Sequence, residues 1–171
     1  MLLKEIVIVD DCKEWRRIVC SILQTRPELR IIAEATDGAE AVQNAEELKP
    51  DLVLLDIGLP RLNGINAAEQ IFEVSPASKI LFLSGINDPD VMQVALRSGA
   101  SGYVCKHNAG AELLPAVLAA LDGSSTMSDE LVSSGVFESL FQRDRSAVSE
   151  VADPEKTARL AEQSEGIQSR L

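Results

Sequence analysis

Residues 52–64 read LVLLDIGLPRLNG: four apolar residues lead directly into an aspartate, and a glycine, a proline and a second glycine follow. The apolar run is too short for a helix and is apolar on both faces, which is typical of a strand buried between two layers. Asp56 is therefore predicted at the carboxyl end of a central parallel strand. A carboxylate in that place needs a chemical reason, because burying an uncompensated charge is costly.

Four further runs share this character, and helical periodicity separates them. The predicted strands are EIVIV (5–9), RIIAEA (30–35), LVLLD (52–56), KILFLS (79–84) and GYVC (102–105). The segments between them carry apolar residues three to four positions apart, which predicts amphipathic helices. Strand and helix alternate five times, so the sequence predicts a doubly wound α/β domain that ends near Leu121.

Composition narrows the class of protein. The chain has 171 residues, of which 46% are hydrophobic, and a formal net charge of −11. An excess of acids argues against direct nucleic-acid binding, which depends on lysine and arginine at the phosphates. No apolar run approaches the ~20 residues of a membrane span. Three cysteines without metal-ligand spacing indicate reduced thiols, and we expect a cytoplasmic protein.

The character of the chain changes after Gly123. We expect a domain over residues 1–122 and a linker with a C-terminal tail over 123–171, helical at about 128–142. One face of that helix would carry Val136, Phe137, Leu140 and Phe141. This stripe either packs on the domain, or binds a second copy or a partner, or belongs to a linker of a longer chain. The charged remainder is either a solvated helix or disordered.

Polar residues follow four of the five predicted strands. They are Asp10 and Asp11 after the first, Asp56 after the third, Ser84 at the end of the fourth, and Lys106 after the fifth. In an open α/β sheet, ligands bind at the carboxyl ends of the strands, so these side chains are expected to converge. Three carboxylates repel one another and call for a hard divalent ion such as Mg²⁺. A lysine and a hydroxyl suit phosphate oxygens, and an aspartate beside them is equipped to attack phosphorus.

These residues lie within longer motifs: VDD (9–11), LLDIGLPRLNG (54–64), LSG (83–85) and GASGYVCK (99–106). Over about residues 4–121 the chain resembles the receiver domain of two-component response regulators. The resemblance implies the CheY-like, flavodoxin-like fold with strand order 2-1-3-4-5 and five helices. It implies Asp56 as phosphoacceptor, and Mg²⁺ (or Mn²⁺) held by Asp10, Asp11, Asp56 and the Gly58 carbonyl. It also implies that Ser84 and Lys106 hold the phosphoryl group, and that Tyr103 is the switch aromatic.

The implied function is phosphorylation-dependent signalling. A sensor histidine kinase or phosphotransfer protein would donate to Asp56, and the face formed by helix four, strand five and helix five would change its binding preference. On this view the chain is no enzyme beyond its own phosphoryl transfer and dephosphorylation. GASGY and GSSTMS resemble the NarL/LuxR-type subgroup, so the alternative is the receiver part of a DNA-binding regulator. No helix-turn-helix pattern follows, and a homodimer is an open possibility.

Two positions depart from the family pattern. Gly58 has no side chain that could orient a water, so we expect slow self-dephosphorylation. His107 stands where many receivers have a proline, often in cis, which leads to the hypothesis of a cis Lys106–His107 bond. Gly58 also argues against a third function, an aspartyl phosphatase of the haloacid dehalogenase type, because such enzymes need an acid there.

Overall fold

The computed structural model describes residues 2–86 and 88–124, and the backbone alone at 126–127. Strands and helices alternate along these residues. The strands are β1 (Lys4–Val9), β2 (Leu29–Ala35), β3 (Leu52–Leu55), β4 (Lys79–Ser84), β5 (Gly102–Cys105) and β6 (Thr126–Met127). The helices are α1 (Lys13–Leu23), α2 (Gly38–Leu48), α3 (Gly64–Val74), α4 (Pro89–Arg97) and α5 (Ala109–Leu121), with a 3₁₀ turn at Lys106–Asn108.

The strands form one parallel sheet in the order β2-β1-β3-β4-β5-β6. The predicted α/β fold and its 2-1-3-4-5 order are confirmed. Strand β6 is an addition to the prediction, which places a linker at these residues. It pairs with β5 through Gly102 opposite Thr126 and Tyr103 opposite Met127. Two residues without apolar periodicity give no strand signal in the sequence.

Both faces of the sheet are buried, which explains why the strands read as unbroken apolar runs. Alternate residues of each strand enter separate cores. Val53 and Leu55 point to the core under α2, α3 and α4, whereas Leu52 and Leu54 point to the core under α1 and α5. Burial of both sets holds β3 in the centre of the sheet, so its carboxyl end has a fixed position.

Side-chain caps mark where the second and fourth helices begin. The Asp37 side chain accepts a hydrogen bond from the Glu40 amide at 3.0 Å and caps α2. Asp88 caps α4, with Pro89 at its first helical position, where the missing amide hydrogen has no cost. Helix α2 ends at Lys49 in the left-handed conformation, just before Pro50.

The expected cis bond between Lys106 and His107 is wrong, because the bond is trans. A histidine keeps its backbone amide hydrogen and favours trans by about 3 kcal/mol. The chain turns after β5 through the 3₁₀ turn that starts at Lys106, and this turn leads directly into α5. His107 lies exposed on that turn, as expected of a surface residue.

The predicted tail helix at about 128–142 lies outside the described residues, and so does its apolar stripe. The boundary between domain and tail at residues 122 and 123 stays a prediction. None of the helices in the described part of the chain has the length and apolar character needed to cross a bilayer. The three cysteines are all reduced, with Cys105 buried in the core.

Candidate phosphoryl-acceptor site

The residues that directly follow three of the strands lie close together at the carboxyl edge of the sheet. Asp10 and Asp11 follow β1, Asp56 follows β3 and Lys106 follows β5. One carboxylate oxygen from each of the three aspartates lies within 4.8 Å of the others. Asp10 and Asp56 are buried, and Asp11 is exposed. The structure therefore brings together the carboxylates that the sequence placed at separate strand ends.

Asp56 is buried, and its surroundings work against its charge. Burial raises the pKa of Asp56 above its usual value, Lys106 opposes that rise, and the nearby Asp10 carboxylate adds to it. The Asp56 side chain accepts a hydrogen bond from the Gly58 amide at 3.4 Å. The role of the Gly58 carbonyl as a metal ligand stays a prediction. Asp56 is thus a carboxylate kept partly desolvated and short of compensating charge.

Lys106 is the cation of this cluster. Its ammonium lies 2.6 Å from Asp10 Oδ2 and 3.2 Å from Asp56 Oδ2, and only 12% of its side chain is exposed. Burial acts to lower the pKa of Lys106, but the Asp56 and Asp10 carboxylates outweigh burial and raise it. Lys106 is therefore charged at neutral pH and bridges two acids.

A glycine lets the loop after Asp56 fold back tightly. A side-chain carbon on Gly64 would lie 2.0 Å from the Asp56 carbonyl oxygen, so no larger residue fits there. The Gly64 amide donates to the Ile57 carbonyl at 2.9 Å, and Asn63 caps α3 at the same point. Helix α3 thereby starts directly against the backbone of Asp56 and holds it in place.

The second half of this loop is tied to α2. Arg61 has a positive φ of 63°, a conformation that costs a non-glycine residue free energy. Its guanidinium forms an ion pair with Asp37, the buried cap of α2. The pKa of Asp37 is held below its usual value, chiefly by the Glu40 amide, and the Arg61 charge contributes. The loop between β3 and α3 is thus tied both to the backbone that follows Asp56 and to the start of α2.

Ser84 and Tyr103 meet at the loop after β4. The Ser84 hydroxyl oxygen accepts a hydrogen bond from the Ile86 amide at 3.2 Å. The Tyr103 hydroxyl donates to the carbonyl of the same residue, and its ring is fully buried. Burial raises the pKa of Tyr103, so it stays a neutral hydrogen-bond donor. Both side chains therefore control the backbone of one residue at the start of this loop.

Two residues of α1 also reach the site, and neither of them was predicted there from the sequence. The Trp15 ring centroid lies 5.5 Å from the Lys106 ammonium. The Arg16 guanidinium donates to the Asp10 carbonyl at 2.8 Å and pairs with Glu34 at 2.7 Å. The periodicity of α1 placed Trp15 on the apolar face only. The available signal was its position in the first turn of a helix that starts beside Asp11.

The donor set fits a hard divalent cation. Lys106 is paired with two of the three clustered carboxylates, and all the donor atoms are oxygens, the ligands that Mg²⁺ and Mn²⁺ prefer. One of the acids is exposed, which leaves an open side for water and for phosphate oxygens. The cluster carries an excess of negative charge in a partly buried place, so a bound cation would stabilise it. An acidic cluster that holds such a cation is suited to phosphoryl transfer.

Comparison with protein families gives a match over residues 6–118. These residues match the model of the response regulator receiver domain. The match includes the acid pair after β1, the aspartate after β3 and the lysine after β5. It covers well over half of the chain.

Curated relatives carry names of regulatory proteins. The transcriptional regulatory protein LnrK of Bacillus subtilis (strain 168) is 34% identical over 92% of this chain and 72% of its own length. The nitrate/nitrite response regulator protein NarL of Escherichia coli (strain K12) is 32% identical over 74% of this chain. The chain spans 58% of NarL and 51% of the protein DegU of Brevibacillus brevis.

Solved structures share the fold. A two-component response regulator of the LuxR family from Aurantimonas sp. SI85-9A1 aligns with a TM-score of 0.75 and 33% identity. The alignment covers 81% of this chain and 99% of that chain. The response regulator domain of Thermotoga maritima CheB gives a TM-score of 0.65 at 28% identity, over 70% of this chain and 97% of that one.

Proposed function

Because the chain belongs to the family of response regulator receiver domains, we propose that Asp56 is its phosphoacceptor. The donor is a phosphohistidine on a sensor histidine kinase or a phosphotransfer protein. A carboxylate oxygen of Asp56 attacks phosphorus as the P–N bond breaks, and that electron pair returns to the imidazole, which then takes a proton from water. The products are an aspartyl phosphate and a neutral histidine.

One observation carries this proposal: the buried Asp56 carboxylate lies 3.2 Å from the Lys106 ammonium and beside two further acids. Partial desolvation leaves its oxygen weakly hydrated and therefore a better nucleophile. Lys106 supplies a fixed positive charge for the incoming phosphoryl oxygens. Apart from Asp10, Asp11 and Asp56, no carboxylate in the described part of the chain belongs to a group of three or more possible metal ligands.

Asp10, Asp11 and Asp56, with the Gly58 carbonyl, are proposed to hold Mg²⁺ or Mn²⁺. When bound, the ion neutralises charge on the acids and on the phosphoryl oxygens. Arg16 fixes the backbone of Asp10 through its carbonyl, so the acid pair keeps its orientation. The Gly58 amide donates to Asp56 from the β3–α3 loop, which keeps the acceptor carboxylate oriented as well.

The response to phosphorylation is proposed to run through Ser84 and Tyr103. A phosphoryl group adds about −1.5 to −2 charges at neutral pH and offers new acceptors for the Ser84 hydroxyl. Ser84 and Tyr103 share the backbone of Ile86, so a shift of Ser84 changes what Tyr103 binds. The surface of α4, β5 and α5 then changes its population of binding states.

The output is a protein contact or, as the second candidate, control of DNA binding by a further part of a longer regulator. The names of LnrK and DegU, both transcriptional regulatory proteins, with the share of their length that this chain spans, favour the second candidate. In either case catalysis is limited to the domain's own phosphoryl transfer and hydrolysis. A homodimer and a cytoplasmic location stay predictions.

Acetyl phosphate with Mg²⁺ tests the proposal by intact mass. We expect one added phosphoryl group on the native chain and none on Asp56→Asn. Asp51→Asn is the matched control, because Asp51 lies at the opposite end of the same strand and is paired to Lys4. Unchanged labelling of Asp56→Asn, or a loss in Asp51→Asn equal to that in Asp56→Asn, would overturn it.

A further inference from the structure

Lys106 has a third partner besides its two carboxylates. The Trp15 ring centroid is 5.5 Å from its ammonium, within the range of a cation–π interaction. The lysine side chain is 12% exposed, so little water competes for the ammonium. A cation–π contact is stronger when the cation is desolvated. The indole is therefore close enough to influence the position of the Lys106 ammonium.

The carboxylates that bind Lys106 are the ones that a divalent ion needs. Its ammonium sits 2.6 Å from Asp10 Oδ2, and Asp10 and Asp56 belong to the cluster with the geometry of a metal site. Two cations thus share one set of acids. Once an ion neutralises those acids, the pull of the carboxylates on the ammonium falls. The attraction of the indole does not fall, because Trp15 offers no metal ligand.

Trp15 is anchored independently of the acids. It lies in the first turn of α1 and packs against the core under α1 and α5, which includes Val19, Leu23 and Leu113. This packing fixes the ring with respect to the carboxyl edge of the sheet. The 5.5 Å separation between the ring centroid and the ammonium leaves room for a closer contact once an ion neutralises the acids, so the contact would stabilise the ion-bound state more than the ion-free state.

We propose that Trp15 is a positioning residue for Lys106: it retains the ammonium beside Asp56 when a divalent ion occupies the acids. This inference deepens the proposed function and rests on it. Ion binding and phosphoryl transfer then both depend on the electron density of the indole. The opposing account is that Trp15 only fills space in the core, in which case volume alone should matter.

Fluorinated tryptophan separates these accounts, because Trp15 is the single tryptophan in the chain. Biosynthetic incorporation of mono-, di- and trifluorotryptophan withdraws electron density from one ring and leaves its shape nearly unchanged. We expect the Mg²⁺ dissociation constant, measured by calorimetry, to rise stepwise with fluorine number, by about two- to tenfold in total. The rate of labelling by acetyl phosphate at saturating Mg²⁺ should fall in the same order.

A readout without metal or phosphate completes the test. In the native chain the indole ring current should shift the Lys106 Hε and Cε NMR resonances upfield, and Trp15→Leu should remove that shift. Trp15→Phe keeps a weaker π face and should fall between the native chain and Trp15→Leu in Mg²⁺ affinity. Equal Mg²⁺ affinity and labelling rate across the fluorinated series would overturn the inference, and so would a Lys106 shift unaffected by Trp15→Leu.

The two proposals fail in different ways. If the native chain takes no phosphoryl group, the proposed function fails, while the ring-current result is unaffected. If the native chain is labelled but fluorination changes neither affinity nor rate, only the role of Trp15 fails.

Discussion

Strand β3 has an aspartate at each end, and the two differ in how far neighbouring groups compensate their negative charge. Asp51, just before the strand, accepts hydrogen bonds from the Lys4 ammonium at 3.0 Å and from the Glu5 amide at 2.9 Å. Burial acts to raise the pKa of Asp51, but the Glu5 amide and the Lys4 charge outweigh it and lower the pKa. The folded protein therefore stabilises the charged form of this residue.

Asp56, just after the strand, has its pKa shifted in the opposite direction. Its pKa is raised because burial outweighs the lysine nearby, and the Asp10 carboxylate adds repulsion. The same residue type is thus fully compensated at one end of β3, whereas at the other end its partners, Lys106 and the Gly58 amide, do not offset its burial. Buried acids that a fold leaves undercompensated are candidates for function, and well-paired acids are candidates for stability.

The largest expected effect concerns the backbone of Asp56. Gly64→Ala would put a methyl group 2.0 Å from the Asp56 carbonyl oxygen, a contact that only movement of α3 or of the strand end can relieve. We expect a loss of about 3 kcal/mol or more in the free energy of unfolding, measured in urea, with weaker phosphorylation of the folded fraction.

Gly110→Ala is the matched control for that substitution. A side-chain carbon there meets no atom within 4 Å, and the residue lies in the first turn of α5. Alanine is the better helix former, so the variant should be unchanged or up to about 1 kcal/mol more stable. A Gly64→Ala protein as stable as native would show that the end of β3 is less tightly held than the geometry indicates.

The second prediction is that Mg²⁺ stabilises the protein through the acids at the Asp56 end of β3 and not through Asp51 at the other end. A ligand that binds the folded state alone adds about 2.7 kcal/mol of stability at one hundred times its dissociation constant. Mg²⁺ should therefore raise the thermal midpoint of the native chain. Asp11→Asn removes the exposed acid of the cluster and should abolish most of that rise.

Asp51→Asn should keep the full Mg²⁺ response, because Asp51 has no part in the acid cluster. Ca²⁺ and Na⁺ at matched ionic strength separate site binding from screening of the overall charge of −11. A midpoint that rises equally with Mg²⁺ in Asp11→Asn and native protein would contradict a site at this edge.

Much of the fold was accessible from the sequence, because parallel strands buried on both faces leave continuous apolar runs, as at 52–55 and 79–84. The caps at Asp37 and Asp88 depend only on nearby residues, because each side chain accepts a hydrogen bond from a backbone amide two or three residues further on. Strand β6 was not readable, because it depends on backbone pairing with β5 and not on side-chain pattern. The cis hypothesis failed because a family tendency of proline was applied to a histidine.

The acids of the site could be grouped in advance, because the carboxyl ends of neighbouring parallel strands must meet. The distances between these side chains and the balance of their charges could not be predicted from the sequence. Whether Lys106 reaches Asp10 as well as Asp56 depends on how α1 and α5 pack beside the sheet. The same packing sets Trp15 over the lysine, while helical periodicity gives only the face on which Trp15 lies.

The smallest expected effect is a difference in pH dependence between the two ends of β3. Asp51 has a folded-state pKa below its ordinary value of 3.8, so it adds stability above that pH and loses it as the pH falls through the folded-state pKa. The Lys4–Asp51 pair is about a third exposed, which limits its worth to roughly 0.5–1 kcal/mol. Asp51→Asn should be less stable than native by that amount at pH 7, and the gap should close in acid.

Asp56 should show the reverse sign in metal-free buffer with a chelator. Its folded-state pKa lies above 3.8, so the ionised form destabilises the fold at neutral pH, and the penalty disappears as the pH falls through that pKa. Asp56→Asn should then equal or exceed the native chain in stability at pH 7 and lose that advantage in acid. Urea unfolding from pH 7 down to about pH 3 measures both differences. If the difference in unfolding free energy between variant and native chain had the same sign at pH 7 for Asp51→Asn and Asp56→Asn, the contrast would be wrong. Both aspartates would then affect the stability of the fold in the same direction.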